Sequence, residues 1–486
     1  MASEIRVNKI ENRSGLGTVT FADTGVDLAG IVTATTFSGS GASLTNIPDS
    51  ALSAVTASKL TGALPAISGA SLTGMASTDN VRTGILDVAG ISTFRNTMNV
   101  GAAVTISESG IEASGIGITC ANLNGGEFSN RNMVINGAMQ VDQRNEGSAV
   151  TSSPGGSLNF AADRCHFFNY GTGELTATLQ RVADGPSGFY NSNKVTITTP
   201  ESSGGTPAAD DRFSMQYRVE GRDINRLSLG TSDAKPFVIS FYVKVSVAGN
   251  YGLAVVSGTS GGRSYCMLYP ATTSWTRVVL KVPKVTDGSW QRGTLTALEL
   301  KFGLYNGSNR TGADQGVAGT GSWQSTDAPQ GTTGQYQMGG TNGATWQITG
   351  LQVEAGTEAT PFEHRRHGDE LALCQRYYQQ FDDSSNTGSY IWGIAYGGGG
   401  NSAGLVIYYQ TTMRALPTAS GENLNNLNFN DGTAAYTAAN NTFGFGGAEY
   451  LIRVSSSSLG SMTGKAIQVY TSSGVTNTKI KLDAEL

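Results

Sequence analysis

Cysteine is scarce in this chain: Cys120, Cys165, Cys266 and Cys374 are the four in 486 residues, and no two of them form a CxxC pair. Such spacing excludes a disulfide framework or a zinc knuckle as the device that holds the fold, and the four read as reduced thiols. Histidine is rarer still. His364-Arg365-Arg366-His367 sets two imidazoles beside two cations that would repel a metal ion, so the run reads as surface charge, and neither metal nor cofactor is expected. Charged residues make up only 14%, against the usual quarter, and the net charge of -5 comes without any basic block. Nucleic acid and anionic membranes are therefore poor partners. No apolar run approaches the roughly 18 residues of a membrane span. The opening Met1-Ala2-Ser3-Glu4-Ile5-Arg6 has no apolar core of a signal peptide, so assembly in a cytoplasm is expected.

Signatures of catalysis are missing as well. There is no serine nucleophile elbow, and Gly15-Leu16-Gly17 lacks the third glycine and following helix of a dinucleotide loop. Asp210-Asp211 and Asp382-Asp383 are adjacent in sequence, whereas a glycosidase needs its carboxylates across the scissile bond. They read as turn and solvation residues. No catalytic residue is expected, and the chain does not read as an enzyme.

Residues 1–128 contain no Tyr, no Trp and four Phe, but 17 Gly and 16 Thr. Within them Ser40-Gly41-Ala42-Ser43-Leu44-Thr45 recurs unchanged as Ser68-Gly69-Ala70-Ser71-Leu72-Thr73. The offset of 28 is even, so in extended chain both copies put Leu on the same face. The scattered Val, Ile and Leu are too few for one chain to close a core. The stretch reads as a fibrous repeat shaft in which several chains pack side by side, an arrangement that would let Leu44 and Leu72 of neighbouring chains meet on a shared axis.

Composition changes near residue 129. Over 129–365, alternating patterns predict strands at 236–247, where Phe237, Ile239, Phe241, Val243, Val245 and Val247 share a face, at 275–282 and at 298–304. Trp346 and Ile348 are even but Leu351 and Val353 are odd, so the inward face switches at Gly350, which predicts a β-bulge there. Many strands and almost no helical period predict a mainly β architecture with a central jelly-roll-type β-sandwich.

The remainder, 366–486, opens with a predicted helix over 369–381, carrying Leu371, Cys374, Tyr378 and Phe381 at helical spacing. A β-rich tip domain follows, with strands at 405–409, 450–454, 466–470 and 479–482 and with 14 aromatics across the region. Tyr390, Trp392, Tyr396 and Tyr436 are the candidate ligand-binding residues, because aromatic rings among Gly, Asn and Ser suit the apolar faces of sugars. Trp392 and Tyr396 lead, since Gly397–Gly400 offers no side chains to shield them.

Several segments carry a family resemblance. Asn130-Arg131-Asn132-Met133-Val134-Ile135-Asn136-Gly137-Ala138-Met139-Gln140-Val141-Asp142-Gln143-Arg144, Ile348-Thr349-Gly350-Leu351-Gln352-Val353-Glu354-Ala355-Gly356, Cys374-Gln375-Arg376-Tyr377-Tyr378 and Met413-Arg414-Ala415-Leu416-Pro417-Thr418 resemble modules of bacteriophage tail-fibre proteins. The opening Glu4-Ile5-Arg6-Val7-Asn8-Lys9-Ile10 through Phe21 is similar to structural proteins of T4-like phages that infect marine cyanobacteria. The resemblance implies a virion tail fibre, a homotrimer fixed by its N-terminus to tail or baseplate proteins and binding a host surface glycan or outer-membrane protein at its distal end. A purely structural fibre or decoration protein, and a polysaccharide-degrading spike, are the alternatives.

Overall fold

A computed structural model describes residues 130–258, 262–383, 390–397, 401–437, 439–445, 451–457, 459, 463–472 and 477–486. From the N-terminal part it describes 7–11, 18–23, 25–29, 31–36, 38, 45–46, 48, 98–100, 104–107 and 110–113. The chain forms two compact units, Met1–Ser114 and Gly115–Leu486. Apart from Thr45, both copies of the hexapeptide repeat, Leu44 and Leu72 included, lie outside the described residues, as does Cys120.

In the first unit, Lys9–Glu11, Thr18–Ala22 and Gly25–Ala29 form an antiparallel sheet. Val19 faces Ile10 on one neighbour and Leu28 on the other, while Phe21 faces Val26. Alternation puts these five apolar side chains on one face, and Ile10, Phe21, Val26 and Leu28 are exposed on it. A second small sheet joins Met98–Val100, Val104–Ser107 and Gly110–Ala113.

The second unit is mainly β, as the sequence predicts. Its centre is a sandwich of two six-stranded antiparallel sheets. One runs, in spatial order, Thr276–Val282, Phe237–Val245, Thr345–Ala355, Ser192–Thr199, Thr176–Val182, Val150–Ser152. The other runs Ser264–Ala271, Gly249–Ser257, Thr296–Asn306, Arg212–Glu220, Cys165–Tyr170, Leu158–Ala162. Consecutive strands repeatedly change sheet, the jelly-roll habit. The core between the sheets takes Phe237, Ile239, Phe241 and Val243 from one and Leu298, Leu300, Phe302 and Leu304 from the other, in the predicted phase. Strand 237–245 ends before Val247, which is only half-buried.

The predicted switch at Gly350 is present as a bulge. Ser240 pairs with Gln352 and Tyr242 with Thr349, so Gly350 and Leu351 together oppose Phe241. Gly350 has φ +63°, and a Cβ there would come within 2.8 Å of the Phe189 ring and 3.0 Å of Tyr242. Trp346, Ile348, Leu351 and Val353 are all buried as a result. The segment before the first sandwich strand docks on this bulged strand: the Leu351 N–H donates to the Gly137 carbonyl, and Asn132 Oδ1 accepts from the Val353 N–H at 3.1 Å.

The helix is shorter than predicted. It spans His367–Gln375, and Tyr378 and Phe381 belong instead to strand Tyr378–Asp382, which pairs antiparallel with Lys479–Asp483. Polar Gln375, Arg376, Gln379 and Gln380 interrupt the helical stripe, and edge pairing with the chain's last strand outweighs one more helical turn. Thr418–Glu422 completes that three-stranded sheet. A seven-stranded sheet follows, in the order Ala435–Thr437, Leu427–Asn430, Ala466–Thr471, Tyr390–Gly397, Ala403–Tyr408, Leu451–Ser457, Ala439–Phe445. Its core of Leu405, Phe429, Ile467, Val469, Ile480 and Leu482 is separate from that of the sandwich. Between them Ile135, Val141, Cys374 and Tyr377 make a small joining core.

Candidate functional site

Strand Tyr390–Gly397 sits inside the seven-stranded sheet, and its alternation decides which candidate rings face outward. Ala395 is buried against the core while Ile394 and Tyr396 on either side are 74% and 46% exposed. In register, Tyr396 lies opposite Gly404 on one neighbour and Ala466 on the other, and Ile394 lies opposite Gln468, which in turn faces Asn430. Leu405 and Ile407 point inward on the next strand, so Val406 and the 70%-exposed Tyr408 share the outward face. A groove of about 320 Å³ opens there, walled by Ile394, Asn430, Asp431, Gly432, Ala466 and Gln468.

The rim of the groove is fixed electrostatically. Asp431 Oδ1 accepts the Thr433 and Ala434 N–H groups at 2.9 and 2.8 Å and the Thr433 hydroxyl at 2.7 Å, while Oδ2 pairs with Lys465. The Lys465 ammonium, and then these donors, hold the Asp431 carboxyl well below the usual carboxylate range. The turn at 430–434 thus presents polar groups in one arrangement beside an apolar floor.

Of the four predicted residues, Tyr396 alone stands on this outward face beside the groove. Trp392 does not share it. The register shifts between Ile391 and Gly393, and Gly393 takes φ +148°, so an extra residue enters the strand and Trp392 turns to pack against the core. Its buried Nε1 has no hydrogen-bond partner among the described residues. Tyr390 is exposed at the strand start and meets Trp392 edge-on, with ring centroids 5.4 Å apart. Tyr436 lies opposite Phe429, a core residue, and packs with it. Of the predicted glycine loop only Gly397 is described.

A second aromatic surface, on the sandwich, went unmarked in the sequence. In Cys165–Tyr170, Cys165, Phe167 and Asn169 face the core, and His166, Phe168 and Tyr170 face away. Phe168 and Tyr170 are nearly parallel, 10° between ring planes and 6.4 Å between centroids. Arg212, opposite Tyr170 in register, lies 4.7 Å from its ring centroid and 5.1 Å from that of Phe168. The Phe168/Tyr170 alternation in CHFFNY was the signal available. Deeper on the same face, His166 Nε2 lies 3.2 Å from Gln216 Oε1, and burial drives the His166 pKa well below its ordinary value.

Other predicted features take structural roles. His364, Arg366 and His367 are exposed, but Arg365 corrects the surface-charge reading of that run: it turns inward to the Asn132 and Val134 carbonyls and to Glu370. Arg376 grips Glu220 through two hydrogen bonds of 3.1 and 2.7 Å. These two arginines line the larger cleft, about 750 Å³, beside the helix, so its most rigid charges are already paired. Asp211 accepts the Ala208 N–H within its turn, but it is buried and also accepts the Thr172 N–H, and Asp210 pairs with the distant Arg310, so the two are more than the turn and solvation residues expected. Asp383 departs from expectation: it is buried, and its Oδ1 accepts the Thr478 N–H at 2.8 Å. Cys165, Cys266 and Cys374 are buried free thiols. Among the described residues no cluster of three His, Cys, Asp or Glu is placed to hold a metal, and no helix is long and apolar enough to cross a membrane.

No protein-family model and no curated protein matches the chain. Among solved structures it is similar to a CBM4 module, at 12% identity over 45% of this chain and 97% of that one, TM-score 0.24. It is similar also to the family 11 carbohydrate-binding module of the cellulosomal cellulase Lic26A-Cel5E of Clostridium thermocellum, at 12% identity over 43% of this chain and 100% of that one, TM-score 0.23. A third likeness is to the enzymatically active domain of tailspike protein 4 of bacteriophage CBA120, at 10% identity over 46% of this chain and 21% of that one, TM-score 0.24. Likeness at this level says nothing of what this chain binds.

Proposed function

We propose that the chain is a virion fibre subunit, assembled in a host cytoplasm as a homotrimer, which attaches by its N-terminal region and reads a cell-surface saccharide with its C-terminal sheet. One observation carries the reading. Ile394 and Tyr396 stand exposed beside a groove whose wall is Asn430, Asp431 and Gln468. Exposed apolar side chains at the centre of a sheet carry a hydration cost that a ligand removes, and a sugar matches both halves of this surface. Its C–H face lies on the ring and the aliphatic floor, and its hydroxyls exchange hydrogen bonds with amide and carboxylate groups. The attachment end rests on the resemblance of Glu4 to Phe21.

The test is adsorption of the labelled full-length protein to host and non-host cells, with Tyr396→Ala and Ile394→Ser beside the wild type. Loss of host-cell binding at unchanged melting supports the reading; undiminished binding in both variants overturns it. A second reading, a purely structural fibre or decoration protein, is favoured by the width of the stripe. Tyr408 lies on the strand beyond Tyr396 and suits a contact between copies. Under that reading the same variants change the solution mass and leave adsorption as it was. A polysaccharide-cleaving activity gains no support from Asp210 and Asp211, because Asp210 is paired with Arg310 and Asp211 accepts the Ala208 and Thr172 N–H groups.

A further inference from the structure

We propose that Tyr170, Phe168 and Arg212 form a second binding site, on the outward face of the sandwich, for a carboxylated saccharide. It stands apart from the C-terminal reading and uses different residues.

The argument begins with charge. Arg212 has two acidic neighbours in sequence, and neither bonds to it, Asp210 acting on it only at a distance. Asp211 spends Oδ2 on the Ala208 N–H at 2.8 Å and Oδ1 on the Thr172 N–H at 3.4 Å. Asp210 pairs with Arg310 at 2.9 Å and also accepts from Asn309. Arg212 therefore has no carboxylate among the described residues, and its Nε is buried with no acceptor. Burial first, and then the like charge of Arg310, hold its pKa below the ordinary arginine value. A guanidinium without a paired anion suits a carboxylate, which can bond it through two oxygens.

The rings define the rest of the ligand. Tyr170 is 45% exposed, and Leu158, opposite Phe168 in register, is exposed beside it. Gly156, at φ +77°, brings its backbone against both rings; a Cβ there would stand 3.4 Å from Tyr170 and 3.6 Å from Phe168. The near-parallel rings are thus held in place while part of Tyr170 stays open. A bare inorganic anion would engage Arg212 and leave this apolar surface wet. A sugar acid covers it, with the pyranose C–H face on the ring and the carboxylate on the guanidinium.

The experiment is calorimetric titration of the full-length protein with a hexuronate oligosaccharide, with the same oligosaccharide after reduction of its carboxyl groups, and with inorganic phosphate. The expected result is binding of the acidic oligosaccharide, about tenfold or more weaker binding after carboxyl reduction, and no comparable binding of phosphate. Tyr170→Ala and Arg212→Gln should each weaken it about tenfold, and Arg212→Lys less. Tyr170 is half exposed, so its variant keeps the inference testable if Arg212→Gln fails to fold. Equal binding of acidic and reduced forms, phosphate binding as tight as the oligosaccharide, no binding at all, or full affinity in Tyr170→Ala would each overturn the assignment. A loss caused by Tyr396→Ala alone would place acidic-sugar binding at the C-terminal sheet instead.

Discussion

Arg164, in the turn before strand Cys165–Tyr170 of the sandwich, forms an ion pair with Glu485, one residue from the C-terminus, and both side chains are almost wholly buried. The arginine backbone takes φ +71° to reach it, its guanidinium lies 3.5 Å from the Tyr377 ring centroid, and its Nη2 donates to the Arg218 carbonyl at 2.7 Å. Arg144 binds both Asp483 and Glu485, and Arg414 donates to the Ala484 and Glu485 carbonyls. The last strand is thereby locked to the sandwich. Glu485→Gln should destabilise the protein by about 3 kcal/mol, because Arg164 would stay buried without its counter-charge. Chemical denaturation of the variant checks this, and an unchanged midpoint would show that the lock is dispensable.

Alkaline pH should loosen the second unit. Burial pushes the thiols of Cys165 and Cys266 up to about 12, and Cys374 and the phenol of Tyr217 upward as well. In the unfolded chain a thiol ionises near its ordinary 9.0, whereas the folded state keeps the proton. Between these values the unfolded state holds fewer protons, so the stability slope with pH is negative. Stability is complete below about pH 9 and falls as pH rises toward 12, by up to roughly 1.4 kcal/mol per unit for each thiol. Melting curves from pH 7 to 11 measure it, and Cys266→Ala should flatten the decline.

The strand phases of the sandwich were legible because the core-facing side of each strand is apolar while the other side carries polar residues such as Ser240, Lys244, Glu299 and Lys301, and period two then writes the phase into the sequence. Gly350 was legible for the same reason, since the change of phase across it is itself the signal. Trp392 was not. The shift at Gly393 occurs in a strand whose flanks, Ile391 and Ile394, are apolar and exposed, so hydropathy gives no phase there. Nor did pattern reveal that Arg164 is buried and Arg365 half-buried and turned inward, because their partners, Glu485 for one and Glu370 for the other, meet them only through the tertiary fold. Tyr378 illustrates a third limit. Its helical spacing to Leu371 and Cys374 is real, but strand pairing with a segment a hundred residues later decides its conformation.

Gly350→Ala should cost roughly 2–4 kcal/mol. The left-handed backbone is strained for alanine, and the added methyl meets the rings of Phe189 and Tyr242 at 2.8 and 3.0 Å. Because Leu351 hydrogen-bonds Gly137 next to the bulge, exchange of the amides in 132–141 should quicken along with global destabilisation. Wild-type melting in the variant would mean that the bulge can be redrawn without cost.

The first unit makes the strongest case for more than one copy. Ile10, Val19, Phe21, Val26 and Leu28 share one face of a three-stranded sheet, and Ile10, Phe21, Val26 and Leu28 are exposed there. A sheet of three short strands with an open apolar face is marginal on its own. Equivalent faces from two further copies would cover it, with closed symmetry leaving no apolar edge. Light scattering of the full-length protein should then give about three times the 50.5 kDa of one chain. Phe21→Asp together with Val26→Asp should lower that mass, since each copy would bring two carboxylates into the contact. A monomer in the wild type would end the trimer proposal. A trimer that survives the double variant would move the contact away from this sheet, toward the repeats at Leu44 and Leu72.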